Sequence, residues 1–354
     1  MDQNNQKPRR TGTGWEEKSL PTEEEQIAEL AGRITEIQIR AREKALKRNP
    51  NAVIVRGFHA KGMGLRAEFR VVPDLPEHLT IGLFRPGAAY DALVRFSNAQ
   101  SEIQSDLKKD QRGLAIRVKT VAGEKLTPDE QTNIQDFVMA NTPASFAIDP
   151  VEFTDIAELI LGNQLMLIPK LWKRYRLRKA IRILAGILRP IGYRTWQASQ
   201  FWSRTPYKFG DLAVKFTARP TGDGGAGSLR EQIREFFRRR RSEENYLRNK
   251  IKERLDEGDV MFDFGAQLFA DEERTPIEDA SKEWKVSDAA FTTIAQLVIP
   301  KQNLDESLEK EIERMAFTPW NTDEYRPLGF MNRARKKVYD TSARVRGHKT
   351  GSVV

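Results

Sequence analysis

Residues 56–64 read RGFHAKGMG and contain one of only three histidines in a chain of 354 residues. Histidine is the side chain best suited to transfer a proton near neutral pH. Taken alone, a histidine in an apolar run is usually structural. Arg56 three residues before His59, and the small residues after it, favour a functional role instead.

Further short motifs follow this segment, and each of them is weakly specific by itself. They are VRFS at 94–97, DQRGLAIR at 110–117, NTP at 141–143 with DP at 149–150, ERMAFTP at 313–319 and RKKVY at 335–339. Together with the first segment, the series resembles the motifs of heme catalases, in the same order, over residues 51–346. The resemblance implies a heme cofactor and a peroxide substrate.

Composition narrows the function classes. The chain has no cysteine, so disulfides and thiolate ligands are excluded, and its histidines are too far apart in sequence to suggest a zinc site. The polar N-terminus does not resemble a secretory signal, and no run of eighteen apolar residues occurs. The net charge is +9, but no nucleic-acid-binding module is recognisable, so we expect no nucleic acid partner. We expect a cytoplasmic protein, peripheral to a membrane in one interpretation.

The fold is predicted to be α+β. Residues 1–20 are predicted to form a disordered arm, residues 21–50 a helix with helical spacing of its apolar residues, and residues 51–354 the main domain. Many short strands separated by Gly, Pro and Asp suggest a closed barrel. The catalase resemblance implies the same, an eight-stranded antiparallel β-barrel with surrounding helices. Because the chain ends soon after RKKVY, no flavodoxin-like C-terminal domain is expected.

A helical insert is predicted at residues 155–204, and no acidic residue occurs from Leu159 to Gly210. Within it, residues 170–189 combine lysines and arginines with Leu, Ile, Trp and Tyr, as an interfacial membrane anchor does. The alternative is that the apolar face packs on the barrel and the basic face is merely solvated. Peripheral membrane contact is therefore one of two interpretations.

The last motif implies the iron ligand. Tyrosine is the axial ligand of catalase heme, and Tyr339 matches it. Arg335 lies one helical turn earlier in a helix predicted at residues 327–346, and a guanidinium beside a phenol favours the phenolate. Arg346 matches the family's propionate-binding arginine after the tyrosine. The resemblance therefore implies a tyrosinate-ligated heme.

The other site residues follow from the same resemblance. Arg56 and Arg95 match propionate partners, since buried carboxylates need paired cations. Phe153 aligns with an aromatic residue that packs on the heme. His59 is expected to act as general acid and base in cleavage of the O–O bond, and Ser97 to orient its ring.

The distal amide departs from the family pattern. Counting back from Thr142 and Pro143, the position of the catalytic asparagine is Ala140, and Asn141 aligns with its neighbour. Either a local shift lets Asn141 reach the iron, or the site lacks this donor. Because one lost transition-state hydrogen bond can cost roughly 10²–10³ in rate, we expect peroxidase-type turnover over fast dismutation.

Three functions remain open at this point. The first is a heme hydroperoxidase acting on hydrogen peroxide or organic peroxides. The second is rearrangement of a lipid hydroperoxide, as in allene oxide synthase relatives, although those carry threonine where this chain has Phe58. The third is a non-catalytic heme-binding or membrane-surface protein, against which retention of His59, Tyr339 and the arginines argues. A homo-oligomer is compatible with all three.

Overall fold

Alternating apolar residues build the barrel. A computed structural model of the chain describes residues 11–50, 58–100, 103–106, 108, 110–119, 134–161, 167–188, 195–221, 244–322 and 324–345. In β1 the side chains of Met63, Leu65, Ala67 and Phe69 enter one apolar core, and the residues between them face the other way. This period of two is what a strand requires to bury one face. The strands are β1 Gly62–Val71, β2 Ala89–Asn98, β3 Arg112–Lys119, β4 Ile134–Ala140, β5 Phe201–Trp202, β6 Tyr207–Phe209, β7 Leu212–Pro220, β8 Val260–Leu268 and β9 Phe291–Ile299.

All strand pairs are antiparallel, in the order β5-β4-β3-β2-β1-β9-β8-β7-β6, and the pairing of β5 with β7 closes the sheet. The short strands β5 and β6 pair with opposite ends of β7, so they are two halves of one broken strand. The predicted eight-stranded antiparallel barrel is therefore confirmed, with its eighth strand interrupted.

Aromatic rings fill the barrel interior. Phe137 lies 4.8 Å from Phe264 and 5.1 Å from Phe216 between ring centroids, and Phe84 contacts the same group. Packed rings leave the interior solid, since small barrels are filled by their own side chains. A site for a cofactor or substrate must therefore lie on the outer face of the barrel. In β2, Arg95 and Ser97 point to this face and alternate with inward-facing Val94 and Phe96.

Helices cover the outside of the barrel. Three glutamates begin α1, and a lysine and an arginine end it, which complements the helix dipole. Its buried residues Leu30, Ile34 and Ile37 face α2 and the C-terminal helix α7, which begins at Phe330, close to the predicted start. The helices are α1 Glu23–Arg48, α2 Pro150–Leu161, α3 Leu167–Arg174, α4 Leu177–Leu188, α5 Tyr246–Glu257, α6 Glu306–Arg314 and α7 Phe330–Val345. In the described part of the chain, none is both long and apolar enough to cross a bilayer.

Two predicted segments differ from the structure. In place of the disordered arm predicted for residues 1–20, residues 11–20 lie against the barrel, because Gly12 bonds to Phe269 and Ala213 and Glu17 pairs with Arg333 at 2.7 Å. The first ten residues lie outside the described part. The predicted insert 155–204 is interrupted at its end by β5, which closes the barrel.

Candidate functional site

His59 sits on the outer face of the barrel beside β2 and β3. Its Nδ1 lies 2.9 Å from the Ser97 hydroxyl oxygen, and its backbone N–H donates to Ala99 at 3.1 Å. The residue has a φ of 57°, a left-handed conformation that non-glycine residues rarely adopt. Surrounding contacts must hold such a conformation, and strain of this kind is concentrated at functional sites.

Gly113 provides the space for this arrangement. It is paired with Ser97 across β2 and β3, and a Cβ placed on it would lie 2.6 Å from the Ser97 hydroxyl and 3.0 Å from His59 Nδ1. No side chain larger than hydrogen fits there without displacing the imidazole or the serine. The glycine of the 110–117 motif is thus a steric requirement for the histidine's position.

Arg95 fixes the backbone of the histidine segment. Its Nη2 donates to the His59 carbonyl at 2.8 Å, while Nε and Nη2 bind both carboxylate oxygens of Glu313 at 2.8 and 3.0 Å. The side chain is only 5% exposed. Sequence reasoning assigned Arg95 to a heme propionate and did not identify Glu313 as its partner. The propionate role stays a prediction, and the positioning of His59 is what the contacts provide.

Asn141 lies at the same end of β3. Its side-chain oxygen accepts from the Arg112 N–H at 2.8 Å, and its own N–H donates to the Arg112 carbonyl at 3.0 Å. The preceding Ala140 is buried and pairs with Gly113. Asn141 is therefore near the histidine, but its amide oxygen is committed to the backbone of β3.

A small cavity of about 110 Å³ lies next to Asn141. The buried hydroxyl of Thr142, which lines it, has no hydrogen-bond partner among the described residues. Arg182 of α4 also borders the cavity. A small polar molecule would satisfy the threonine there.

Tyr339 and Arg335 form the second half of the site, on α7. Arg335 Nη2 donates to the Tyr339 hydroxyl at 3.1 Å, and its Nη1 lies 3.2 Å from the Thr205 hydroxyl and 3.1 Å from the Asn332 side-chain oxygen. Burial works against the charge of Arg335, but the neighbouring phenols of Tyr339 and Tyr207 raise its pKa overall. The guanidinium is held as a cation against the phenol.

The break between β5 and β6 adds residues that the sequence did not reveal. Arg204 has a φ of 66°, the only positive value besides His59 among the described non-glycine residues. Part of the residue is exposed, but its guanidinium is enclosed by protein, so burial, with repulsion from Arg335, lowers its pKa to about 10. Burial also raises the pKa of Tyr207 to about 12, and its hydroxyl has no partner among the described residues. The feature that marks this region is the positive φ of Arg204. A backbone angle of this kind cannot be read from the sequence, so sequence reasoning could not identify the region.

Apolar packing connects the two halves. Phe58, next to His59, and Val338, next to Tyr339, pack with Phe153 against the same cluster of α1 and α2 residues. Phe146 stacks on Phe153 with ring centroids 5.1 Å apart. The predicted residues His59, Ser97, Phe153, Arg335 and Tyr339 thus lie in one region. Arg56 and Arg346, predicted to bind propionates, lie outside the described residues.

The donor set fits a heme. It offers an imidazole held through Nδ1, a phenol paired with a guanidinium, an apolar cluster that includes Phe153 and the chain neighbours of both residues, and a buried phenol hydroxyl in Tyr207 without a partner in the described part of the chain. Tyrosinate with a neighbouring cation is a known axial ligand of heme iron.

Comparison with known proteins gives consistent matches. The catalase family model matches residues 16–160. Catalase A of Pseudomonas putida is 32% identical over 115 residues, which cover 32% of this chain and 22% of that protein. Linolenate 9R-lipoxygenase of Nostoc sp. is 25% identical over 285 residues, which cover 75% of this chain and 34% of that protein. The chain thus spans about a third or less of the length of these curated relatives.

Solved structures share the fold. Catalase A from Saccharomyces cerevisiae superposes with a TM-score of 0.65 at 18% identity, covering 96% of this chain and 68% of that one. A bacterial catalase gives a TM-score of 0.62 at 20% identity, covering 86% and 59%. The closed barrel and its surrounding helices are those of catalase structures.

Proposed function

Since this chain is a catalase-like protein of the catalase superfamily, we propose that it is a heme-dependent hydroperoxidase acting on hydrogen peroxide or small organic peroxides. The observation that carries the proposal is the pairing of Arg335 with Tyr339 at 3.1 Å. A guanidinium on a phenol stabilises the phenolate that a tyrosinate ligand requires. A bound heme supplies the iron at which the O–O bond of a peroxide is cleaved.

The chain's own residues divide the remaining work. Tyr339 would hold the heme iron through its hydroxyl oxygen, and Phe153 would pack against the cofactor. His59 takes a proton from the peroxide and returns it to the leaving oxygen through Nε2. Ser97 keeps the ring in place through Nδ1, and Arg95 holds the His59 backbone through its carbonyl.

Within this activity we propose peroxidase-type turnover over fast dismutation. Ala140 offers no hydrogen-bonding side chain, and the Asn141 oxygen is bonded to the backbone of Arg112. The hydrogen bond that an asparagine amide would donate to a second peroxide is therefore weakened. Where such a bond stabilises a transition state, its loss lowers the rate by roughly 10²–10³. Oxygen release should be slow compared with peroxide consumption in the presence of an organic reductant.

The experiment is reconstitution of the full chain with hemin, followed by an optical spectrum and the two turnover assays. Stoichiometric heme with a phenolate charge-transfer band is expected, and Tyr339→Phe should abolish that band. His59→Ala should keep the heme and lose peroxide reactivity. A protein that binds no heme would contradict the proposal, and rapid oxygen evolution would contradict only the peroxidase preference.

A second candidate is rearrangement of a fatty-acid hydroperoxide. One observation bears on it: Nostoc linolenate 9R-lipoxygenase, whose name indicates a fatty-acid substrate, matches 75% of this chain. Loss of the conjugated-diene absorbance of a lipid hydroperoxide, without any reductant and without oxygen release, would identify this activity. Dependence of turnover on a reductant would identify the peroxidase.

A further inference from the structure

Helices α3 and α4 carry an unusual outer surface. Four large apolar side chains are exposed there, Ile168 by 44%, Trp172 by 59%, Leu177 by 61% and Ile181 by 55%. Each helix contributes two of them, spaced four residues apart and so on one face. Exposed apolar residues that are scattered singly over a surface are ordinary, but four within positions 168–181 form a patch. Burying such a patch against a partner is favourable.

The opposite faces of the two helices are already occupied. Leu171, Ala180 and Ile183 are buried in a cluster with α2 residues. Three cations on this side form ion pairs with two carboxylates of α2. Arg174 pairs with Asp155, and Arg182 and Lys179 pair with Glu152 at 3.0 and 3.4 Å. These contacts fix which face of each helix points outward.

The outer cations have no such partners. Lys170, Lys173, Arg176 and Arg178 are exposed, and no described carboxylate lies within ion-pair distance of any of them. No acidic residue exists between positions 159 and 210 to supply one locally. The outer face therefore combines exposed apolar side chains with positive charges that have no ion-pair partner in the described part of the chain.

We propose that the outer face of α3 and α4 binds the surface of an anionic lipid bilayer. The four apolar side chains enter the boundary between headgroups and acyl chains, and the four unpaired cations contact anionic headgroups. Cations beside an apolar face suit this boundary, and tryptophan is enriched there. Helices of 8 and 12 residues are too short to span and lie along the surface.

Charge complementarity selects this occupant. A protein partner would need a shaped apolar groove with acidic residues placed opposite four spread cations, whereas a fluid anionic surface supplies both contacts without a fixed shape. Helix α4, which carries half of this surface, also borders the candidate site from its inner side, because Arg182 lines the cavity beside Asn141. The proposal does not depend on heme or on peroxide turnover.

The test is co-sedimentation of the full-length protein with vesicles. Vesicles of phosphatidylcholine with phosphatidylglycerol are compared with vesicles of phosphatidylcholine alone. Binding to the anionic vesicles only, weakened by salt, is expected. Equal binding to both kinds of vesicle, or binding to neither kind, would overturn the proposal. Displacement of the protein from the vesicles by an oligonucleotide at a much lower concentration would also overturn it.

Variants locate the surface. Each of Lys170→Gln, Lys173→Gln, Arg176→Gln and Arg178→Gln should lower the partition coefficient about fivefold, since one basic residue near an anionic surface contributes about that factor. Trp172→Ser should lower it by about tenfold or more. Matched controls are Lys285→Gln and Val286→Ser, which are exposed in the loop after β8 and should leave binding unchanged.

Two further measurements keep the result interpretable. The thermal unfolding midpoint of each variant should equal that of the parent, because the altered side chains make no described ion pair or buried contact. Turnover of hydrogen peroxide should also be unchanged, so failure of vesicle binding is separable from failure of the proposed enzyme activity. Control variants that weaken binding as much as the α3 and α4 variants would overturn the assignment.

Discussion

Gly113→Ala should disable the site while leaving the barrel folded. The new methyl carbon would lie 2.6 Å from the Ser97 hydroxyl, 3.0 Å from His59 Nδ1 and 3.1 Å from His59 Cε1. Ordinary contacts begin near 3.4 Å, so the serine must retreat by about 0.8 Å and the imidazole by about 0.4 Å. The strand pairs Gly113–Ser97 and Gly113–Ala140 hold the backbone, and the side chains must move.

The expected loss is up to about 10²-fold in peroxide turnover, because a misplacement of about 1 Å can cost that factor and the imidazole follows the displaced serine that positions it. Overpacking costs about 1–3 kcal/mol of folding free energy, and replacing a strand glycine returns about 0.5–1 kcal/mol. The net destabilisation is therefore small for a chain of this size. Turnover is measured on the hemin-loaded protein, with heme content from the optical spectrum and stability from thermal unfolding.

Gly32→Ala is the matched control. Gly32 lies within α1 and a Cβ there meets nothing within 4 Å. It should gain about 0.5–1 kcal/mol of stability with unchanged turnover. A Gly113→Ala protein that keeps full heme content and full turnover would refute the role given to the Ser97-held imidazole.

Three other outcomes are expected. Lys215→Met should stabilise the fold below about pH 10. Burial lowers the Lys215 pKa from 10.5 to about 7, so only the unfolded chain holds the proton between these values. The unfolding free energy of the wild type therefore rises with pH between 7 and 10.5, and below this range the buried lysine lowers it by about 5 kcal/mol. Urea unfolding at several pH values should show this rise in the wild type and not in the variant. Glu313→Gln should lower turnover without removing heme. Arg95 loses its bidentate partner in this variant, so the donor to the His59 carbonyl is no longer held in place. A parallel fall in heme content would contradict this expectation. Arg335→Leu should weaken the phenolate charge-transfer band of the loaded protein, with Lys337→Leu at an exposed position of α7 as the control, and an unchanged band would exclude the pairing with Tyr339.

Sequence reasoning identified the elements that rest on local pattern. The helical spacing of apolar residues predicted α1, in which Ile34 and Ile37 are buried, and the VRFS motif lies in strand β2. The four-residue spacing of Arg335 and Tyr339 placed both on one helical face, where they are in contact. In each case the decisive interaction lies within one turn or one strand of the residue itself.

Other features depended on contacts that no local pattern reports. Strand β4 was not predicted because it contains a fully buried Asp136, whose charge is matched by Arg117 at 2.8 Å from the neighbouring strand. The same holds for Glu313, which meets Arg95 only when α6 docks on the barrel. The break that brings Arg204 to Tyr339 is likewise a matter of tertiary closure.

The ion pair between Arg95 and Glu313 determines when, during synthesis, the His59 segment can reach its final structure. The two residues are 218 positions apart, so at about 5–20 residues per second a ribosome takes roughly 10–40 s to deliver the glutamate after the arginine. Until then nothing anchors the strained His59 backbone through Arg95, and pulse-labelled nascent chains should remain protease-sensitive around residue 59 until synthesis passes residue 313. The proton-transfer group would thus mature among the last parts of the molecule, although it is made among the first.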